Sequence, residues 1–303
     1  PTADYTNRAD DQPFFAIFNF HESHESRMHL DLAQHETITS PEDIVLPPYH
    51  PETQHMKKSW AHYLDKVNEV DLWVSSQLKR LKDQGLDDNT IVFYYSDHGG
   101  VLPRSKRFMY DTGTRVPMIV HIPEKWMASL GLNKGQELET PISFVDLAPS
   151  VLEFAGIDVP AAYQGTSIFE PASERSNWVY LYRDRMDEWF DAKRGVTNGR
   201  YRFIKNFMPH RPNGQHLTFL FKAQATQEWY EYWKSGKTNE IQSQFWEVVP
   251  GMEFFDTSND PWEVNNLIGK SLDTETQRAL LEAQKKVDEL ILEYRDGTFL
   301  PED

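Results

Sequence analysis

The 303-residue chain contains no cysteine. Disulfides, thiolate metal sites and a cysteine nucleophile are therefore excluded within it, while the compartment stays undecided. Basic residues are scarce: 31 Lys and Arg stand against 47 Asp and Glu, a formal charge of −16. That balance argues against nucleic acid as a partner, because such binding leans on a basic footprint. An anionic ligand must then be met by a local basic pocket, since the overall field repels it. An acidic excess is equally compatible with divalent cations. No apolar run reaches the length of a membrane span, no signal peptide is visible, and there is no internal repeat. An initiating Met is also lacking: the chain starts at Pro1 and is expected to enter a strand almost at once. The expectation is a fragment or processed product with something missing upstream.

Aromatic residues are abundant. Hydrophobic content is 39 %, with 18 Phe, 13 Tyr and 9 Trp, so a real core is expected. The length suits one large α/β domain, or a domain with an appendage.

The organising stretch is Ile91-Val92-Phe93-Tyr94-Tyr95-Ser96-Asp97-His98-Gly99-Gly100. Strand-forming residues run into an acid, an imidazole and two glycines. A continuous apolar run reads as a strand buried on both faces, the kind found in parallel sheets. Open α/β sheets bind ligands beyond the carboxyl ends of their strands, which is where Asp97 and His98 fall. Glycines there let another group approach the backbone closely. The bland alternative is an ordinary loop after a core strand.

Pro13 to Phe20 reads as a second buried strand, and it too ends in titratable residues, His21-Glu22-Ser23-His24-Glu25-Ser26-Arg27. Two histidines three apart serve as metal ligands, proton carriers or hydrogen-bonded surface groups. Loops at strand ends commonly carry function. Asp31 to Pro51, with four prolines, is a long surface connection. Gln54 to Gln84 is the clearest helix: Tyr63, Val67, Val70, Val74, Leu78 and Leu81 make one apolar stripe, and Gly85 stops it. Asp71 in this helix reads as a structural acid. Strand, helix, strand in this order suggests a right-handed parallel unit.

Behind the glycines, Arg104, Lys106, Arg107 and Arg115 form the densest basic stretch of an acidic chain. A solvated loop is the plain reading; the place behind Asp97 and His98 favours holding an anion. Val116 to Ile122 reads as a third buried strand and Ser143 to Ala155 as an amphipathic helix. From Asn177 the pattern changes. Trp178 to Tyr182, Val196 to Phe207 and Met252 to Asp256 suggest an antiparallel sheet with turns such as Thr197-Asn198-Gly199. Arg183 and Arg185 belong to a solvated hairpin or to a rim that touches substrate. The aromatic segment 215–245 and Trp246 serve sugar stacking or, more commonly, core packing. A last helix covers Asp273 to Tyr294.

Taken together, these stretches resemble the type I, formylglycine-dependent sulfatases of the alkaline phosphatase superfamily. Asn89-Thr90-Ile91 through Gly99 resembles the family's strand and metal-binding turn. Lys106 before Tyr110-Asp111, with Thr114-Arg115-Val116-Pro117, resembles its Lys-x-x-x-Tyr-acid segment. Phe20-His21-Glu22-Ser23-His24 resembles its strand-end His motif. Phe254-Phe255-Asp256, Asn259-Asp260-Pro261-Trp262-Glu263 and Asn265-Asn266-Leu267 resemble its C-terminal signature. The wording around His21 and Gly99 is similar to the sulfamidase-like branch.

The resemblance implies an α/β fold with a mostly parallel central sheet flanked by helices. It implies a small C-terminal α+β subdomain on an antiparallel sheet, with residues 1–176 and 177–303 as the two parts. It implies a Ca²⁺ site to which Asp97 and His98 contribute, though an imidazole is an unusual ligand for so hard a cation and His98 serves the sulfate as an alternative. His24, Lys106 and His98 are the implied catalytic groups. His21, His24, Lys106, Arg104, Arg183 and Arg185 are the candidate substrate contacts. The implied substrate is a sulfated saccharide and the implied location periplasmic or secreted.

One departure stands out. The family's nucleophile sits in a Cys- or Ser-x-Pro-x-Arg motif, and no such motif occurs in this chain. The expectation is that it precedes Pro1, that the missing N-terminal segment is a partner of this chain, and that the chain alone is inactive. The alternatives are a metal-dependent phosphohydrolase of the same superfamily and a non-catalytic carbohydrate-binding fragment.

Overall fold

A computed structural model describes residues 4–170 and 175–299. Helix α1 (Gln54–Asp83) begins where the Thr53 hydroxyl accepts the Met56 amide, and it ends at Gly85 with φ +63°. Its apolar stripe is only partly covered. Met56, Ala61 and Leu81 are buried, while Val67 and Leu78 are exposed. The helix acid that ties the chain down is Asp65 rather than Asp71. Its carboxylate accepts the Ile38 and Thr39 amides at 2.8 and 2.9 Å and so anchors the long connection.

Strand β1 (Val92–Tyr95) pairs antiparallel with β2 (Met118–His121), Val92 facing His121 and Tyr95 facing Met118. The sequence suggests instead that β1 lies parallel to a strand at 13–20. Among the described residues the 13–20 stretch joins no ladder, and no parallel pair occurs. Phe15 is 74 % and Ile17 64 % exposed; Phe20 lies flat on Trp73 of α1 at 4.7 Å. The physical reason is that a buried central strand needs a partner at each edge and a cover on each face, and its own residues supply neither. Helix α2 (Leu147–Phe154) continues a turn capped reciprocally by Ser143 and Asp146.

The C-terminal part follows the sequence closely. Strands β3 (Val179–Arg183), β4 (Lys193–Thr197), β5 (Tyr201–Asn206) and β6 (Met252–Asp256) form an antiparallel meander in that order. The single run read at Val196 to Phe207 is a hairpin: Gly199, at φ +92°, turns β4 into β5. Helix α3 (Gln224–Lys234) puts Trp229 into the core beside Phe245 and Trp246, so these aromatics are packing residues. Helix α4 (Thr274–Glu293) lays Ala283, Val287 and Leu290 over the sheet against Val196, Phe203 and Phe254. The chain is α/β, with a two-stranded antiparallel pair in its N-terminal half and the four-stranded antiparallel sheet in its C-terminal half. The largest core joins Tyr49, Met56, Phe108 and Tyr110 to Ile204, Leu217 and Trp229, so both halves share it.

One core group sets a pH response. His50 is buried; its Nε2–H donates to the Pro103 carbonyl at 2.9 Å and its Nδ1 accepts from the Trp60 indole at 3.1 Å. Both nitrogens are satisfied only in the neutral ring, and burial lowers the pKa to about 3. The unfolded chain takes up a proton near pH 6.5 and the folded one does not, so stability falls as pH drops below 6.5. Between pH 7 and 5 the expected loss is about 2 kcal/mol from this residue. Urea midpoints for wild type and His50→Gln should show a shallower pH slope in the variant; equal slopes would contradict it.

Candidate active site

The site begins at the end of β1. Ser96 Oγ donates to the His98 carbonyl at 2.7 Å and folds the turn. Gly99 then lies against the one-turn helix Asp111–Thr114: its amide donates to Gly113 O at 3.0 Å, and that of Gly100 to Thr112 O at 2.8 Å. A Cβ on Gly99 would sit 2.2 Å from the Thr112 carbonyl, so only glycine permits this approach. The Lys106 amide donates back to Gly100 O at 2.9 Å, which brings Lys106 beside the Asp97-His98 turn. Between them, Val101 and Leu102 pack on Met28, Trp60 and Tyr63. Met28 ends the loop that carries His21 and His24, so apolar packing joins the two loops.

Their titratable groups act on one another. The His24 pKa is lowered, first by burial and then by the Lys106 charge, with His21 and His98 adding and Glu25 opposing. His24 Nδ1 accepts the Ser26 amide at 3.2 Å, which leaves Nε2 to carry the ring proton. His98 is arranged the other way round. Its Nδ1–H donates to Gly99 O at 2.8 Å, so Nε2 keeps a lone pair, 3.7 Å from Asp97 Oδ1. The Asp97 carboxylate is 89 % exposed.

Beneath Lys106 lies a feature that sequence reading passed over. Glu25 is 2 % exposed, and both its oxygens accept from Arg107 Nη1, at 2.9 and 2.7 Å; Lys106 Nζ stands 3.7 Å away. Arg107 also pairs with Asp187 at 3.1 Å, and its carbonyl accepts from Arg183. The signal in the sequence is an acid next to His24, in a segment that also holds His21, Glu22 and Arg27.

His21, His24, His98 and Lys106 thus gather with Asp97. The candidate arginines do not. Arg104, at φ +72°, turns inward; its guanidinium lies between the Tyr49 and Tyr110 rings at 4.3 and 3.7 Å and donates to Glu263 O at 2.7 Å. Arg183 is buried in an ion pair with Asp191 at 3.0 Å. A substrate contact for these two gives way to a structural role, because both side chains are buried, Arg104 at 3 % and Arg183 at 4 % exposure, and turned to internal partners. Arg185 is at the surface, over the Phe190 ring at 4.0 Å.

No group of three or more His, Asp or Glu able to hold a metal ion occurs among the described residues. A calcium ion takes six to eight oxygen ligands. This turn offers one carboxylate and an imidazole, so the described residues do not by themselves make a calcium site.

Comparison with known proteins gives the family of the chain. The family model for sulfatase matches residues 1–157, and that for N-sulphoglucosamine sulphohydrolase, C-terminal, matches residues 103–244. The chain is 32 % identical to an ulvan-active sulfatase of Formosa agariphila, over 100 % of its own length and 55 % of the relative's. It is 26 % identical to an N-acetylglucosamine-6-O-sulfatase of Bacteroides thetaiotaomicron, covering 78 % of this chain and 36 % of the relative. With the human N-sulphoglucosamine sulphohydrolase the identity is 23 %, covering 85 % and 57 %. The chain spans about half the length of the curated relatives it matches. Among solved structures, one in complex with D-glucosamine-2-N,6-O-disulfate aligns with TM-score 0.57 at 23 % identity, over 80 % of this chain and 42 % of that one. A 2-O glycosaminoglycan sulfatase aligns with TM-score 0.55 at 20 % identity, over 85 % and 51 %. These structural likenesses show a shared fold.

Proposed function

Because this chain belongs to the sulfatase family, we propose that it is part of an enzyme that hydrolyses sulfate esters on a sulfated carbohydrate. The observation that carries the reading is the mutual placement of Lys106 and His24 beside the Asp97-His98 turn. The Lys106 ammonium binds a sulfate oxygen and neutralises charge that grows there in the transition state. His24 presents its Nε2–H as a hydrogen-bond donor to the same anion. The lone pair on His98 Nε2 accepts from a hydroxyl or joins the metal shell. Sulfated saccharides are the substrates named for several relatives and for one structural neighbour.

Sulfatases use a metal ion. Calcium is the ion we propose here, with Asp97 as one of its ligands and the others supplied by polypeptide outside this chain. The nucleophile likewise lies outside it, so residues 1–303 alone release no sulfate. The apolar ribbon at Phe15, Ile17 and Phe18 and the exposed Ile119 of β2 receive that further polypeptide. In this reading residues 1–176 belong to the catalytic domain and 177–303 form its C-terminal subdomain. We place the enzyme in the periplasm or outside the cell; no described helix is long and apolar enough to cross a membrane.

The test is sulfate release from a sulfated oligosaccharide by the full-length polypeptide that carries this chain, with a phosphate monoester as control. Preferential release of sulfate supports the proposal. Preferential phosphate release would transfer it to phosphohydrolysis, and turnover of neither would remove it.

A further inference from the structure

Phe219 stands next to the site and is surrounded by basic groups. His24 meets its ring edge-on at 6.2 Å and His29 at 4.6 Å; the Arg107 guanidinium lies 5.6 Å and the Lys222 ammonium 5.3 Å from the ring centre. Two cations and two imidazoles around one ring make a local basic cluster in a chain of formal charge −16. Two of the four are already committed. Arg107 holds Glu25 and Asp187, and His24 belongs to the Lys106 site.

The other two are not committed. Lys222 is exposed and enters no ion pair among the described residues. His29 Nε2 is buried with no hydrogen-bond partner. Glu25 acts on His29 electrostatically, but its carboxylate is already engaged by Arg107. An ammonium without a carboxylate and an imidazole nitrogen without a partner stand side by side, and with the His29 proton on Nε2 both donate to an acceptor that the protein does not supply.

The loop that holds Phe219 and Lys222 is fixed rather than loose. The Thr218 amide donates to Glu188 at 2.6 Å, and the Trp189 indole donates to the His216 carbonyl at 2.6 Å. Both staples reach the 184–191 hairpin, whose Asp187 grips Arg107. Lys222 is therefore held in place on the Phe219 ring, which His29 and His24 meet as well.

We propose that Lys222 and His29 form a second anion subsite that takes a further sulfate or carboxylate of the same saccharide, on the same sugar or the next. It rests on the sulfatase reading for its first subsite and deepens it: the preferred substrate is a polyanionic saccharide, and the flanking anion is bound without being cleaved. Phe219 separates the two anions and keeps each on its own cations.

The test is calorimetric binding to the full-length polypeptide of two probes, a disulfated disaccharide and the same disaccharide with one sulfate. Lys222→Ala should weaken the disulfated probe about tenfold, the effect of one charge-assisted contact, and leave the monosulfated probe unchanged. Lys222→Arg should restore the difference. Kinetically, the loss should fall on KM for the disulfated substrate with kcat unchanged. Lys222→Ala acting equally on both probes, or on neither, overturns the subsite. Binding is read without turnover, so an inactive protein that still discriminates by Lys222 would keep the subsite and remove the sulfatase reading. Lys106→Ala separates them from the other side, since it should weaken both probes.

Discussion

Lys106→Ala, made in the full-length polypeptide, is expected to lower kcat/KM for a sulfated saccharide by about 10²–10³, the range seen when one preorganised donor to a developing oxyanion is removed. The side chain is partly exposed and stands 3.7 Å from Glu25, whose main partner is Arg107 at 2.7 Å. Glu25 therefore keeps its counter-ion in the variant, and the fold should not suffer. The loss should fall on kcat as much as on KM, because charge on the sulfuryl oxygens grows toward the transition state. Lys106→Arg should recover only part of it, since a planar guanidinium does not reproduce a point ammonium. Steady-state sulfate release, with urea unfolding to verify the fold, decides the matter. A loss under threefold would show that Lys106 does not touch the reacting group.

The second large effect concerns stability. Glu263→Ala should cost about 3–5 kcal/mol, the usual cost of breaking a buried ion pair from one side. Glu263 and Arg202 are each 1 % exposed and pair at 2.5 Å. Glu263 also accepts the Asp111 amide at 2.5 Å, while Arg202 donates to Met109 O at 2.8 Å and to Asp111 at 2.7 Å. This cluster fastens β5 and the loop after β6 to the 105–115 segment that presents Lys106. Burial raises the Glu263 pKa, with Arg202 and the Asp111 amide opposing that rise. Replacing both partners, Arg202→Met with Glu263→Leu, should cost less than the sum of the single changes, because no buried charge is then left alone. Strict additivity in urea denaturation would contradict the coupling.

The sequence shows local motifs well and distant partners poorly. The Asp97-His98-Gly99-Gly100 turn, Lys106 and His24 are legible because each sits in a short segment whose residue types state its chemistry. The antiparallel meander is legible because alternation and turn residues lie within each strand or hairpin. The partner of β1 is not, since pairing is chosen by segments far along the chain. Arg104 and Arg183 look like anion binders because charge in a sequence carries no record of burial. Their partners are Tyr49, Tyr110 and the Glu263 carbonyl for one, Asp191 and the Arg107 carbonyl for the other. Asp65 and Asp71 differ in the same way: six residues apart on one helix, only Asp65 faces the connection it ties down.

Nitrogen NMR of the histidine rings during a titration with inorganic sulfate tests the shared anion site most directly, on the full-length polypeptide with Lys106→Ala beside it. His24 and His98 should shift together with one dissociation constant, buried His50 should stay still, and Lys106→Ala should abolish the response. Sulfate moving neither ring, or moving them equally without Lys106, would mean that these side chains are neighbours with no common ligand.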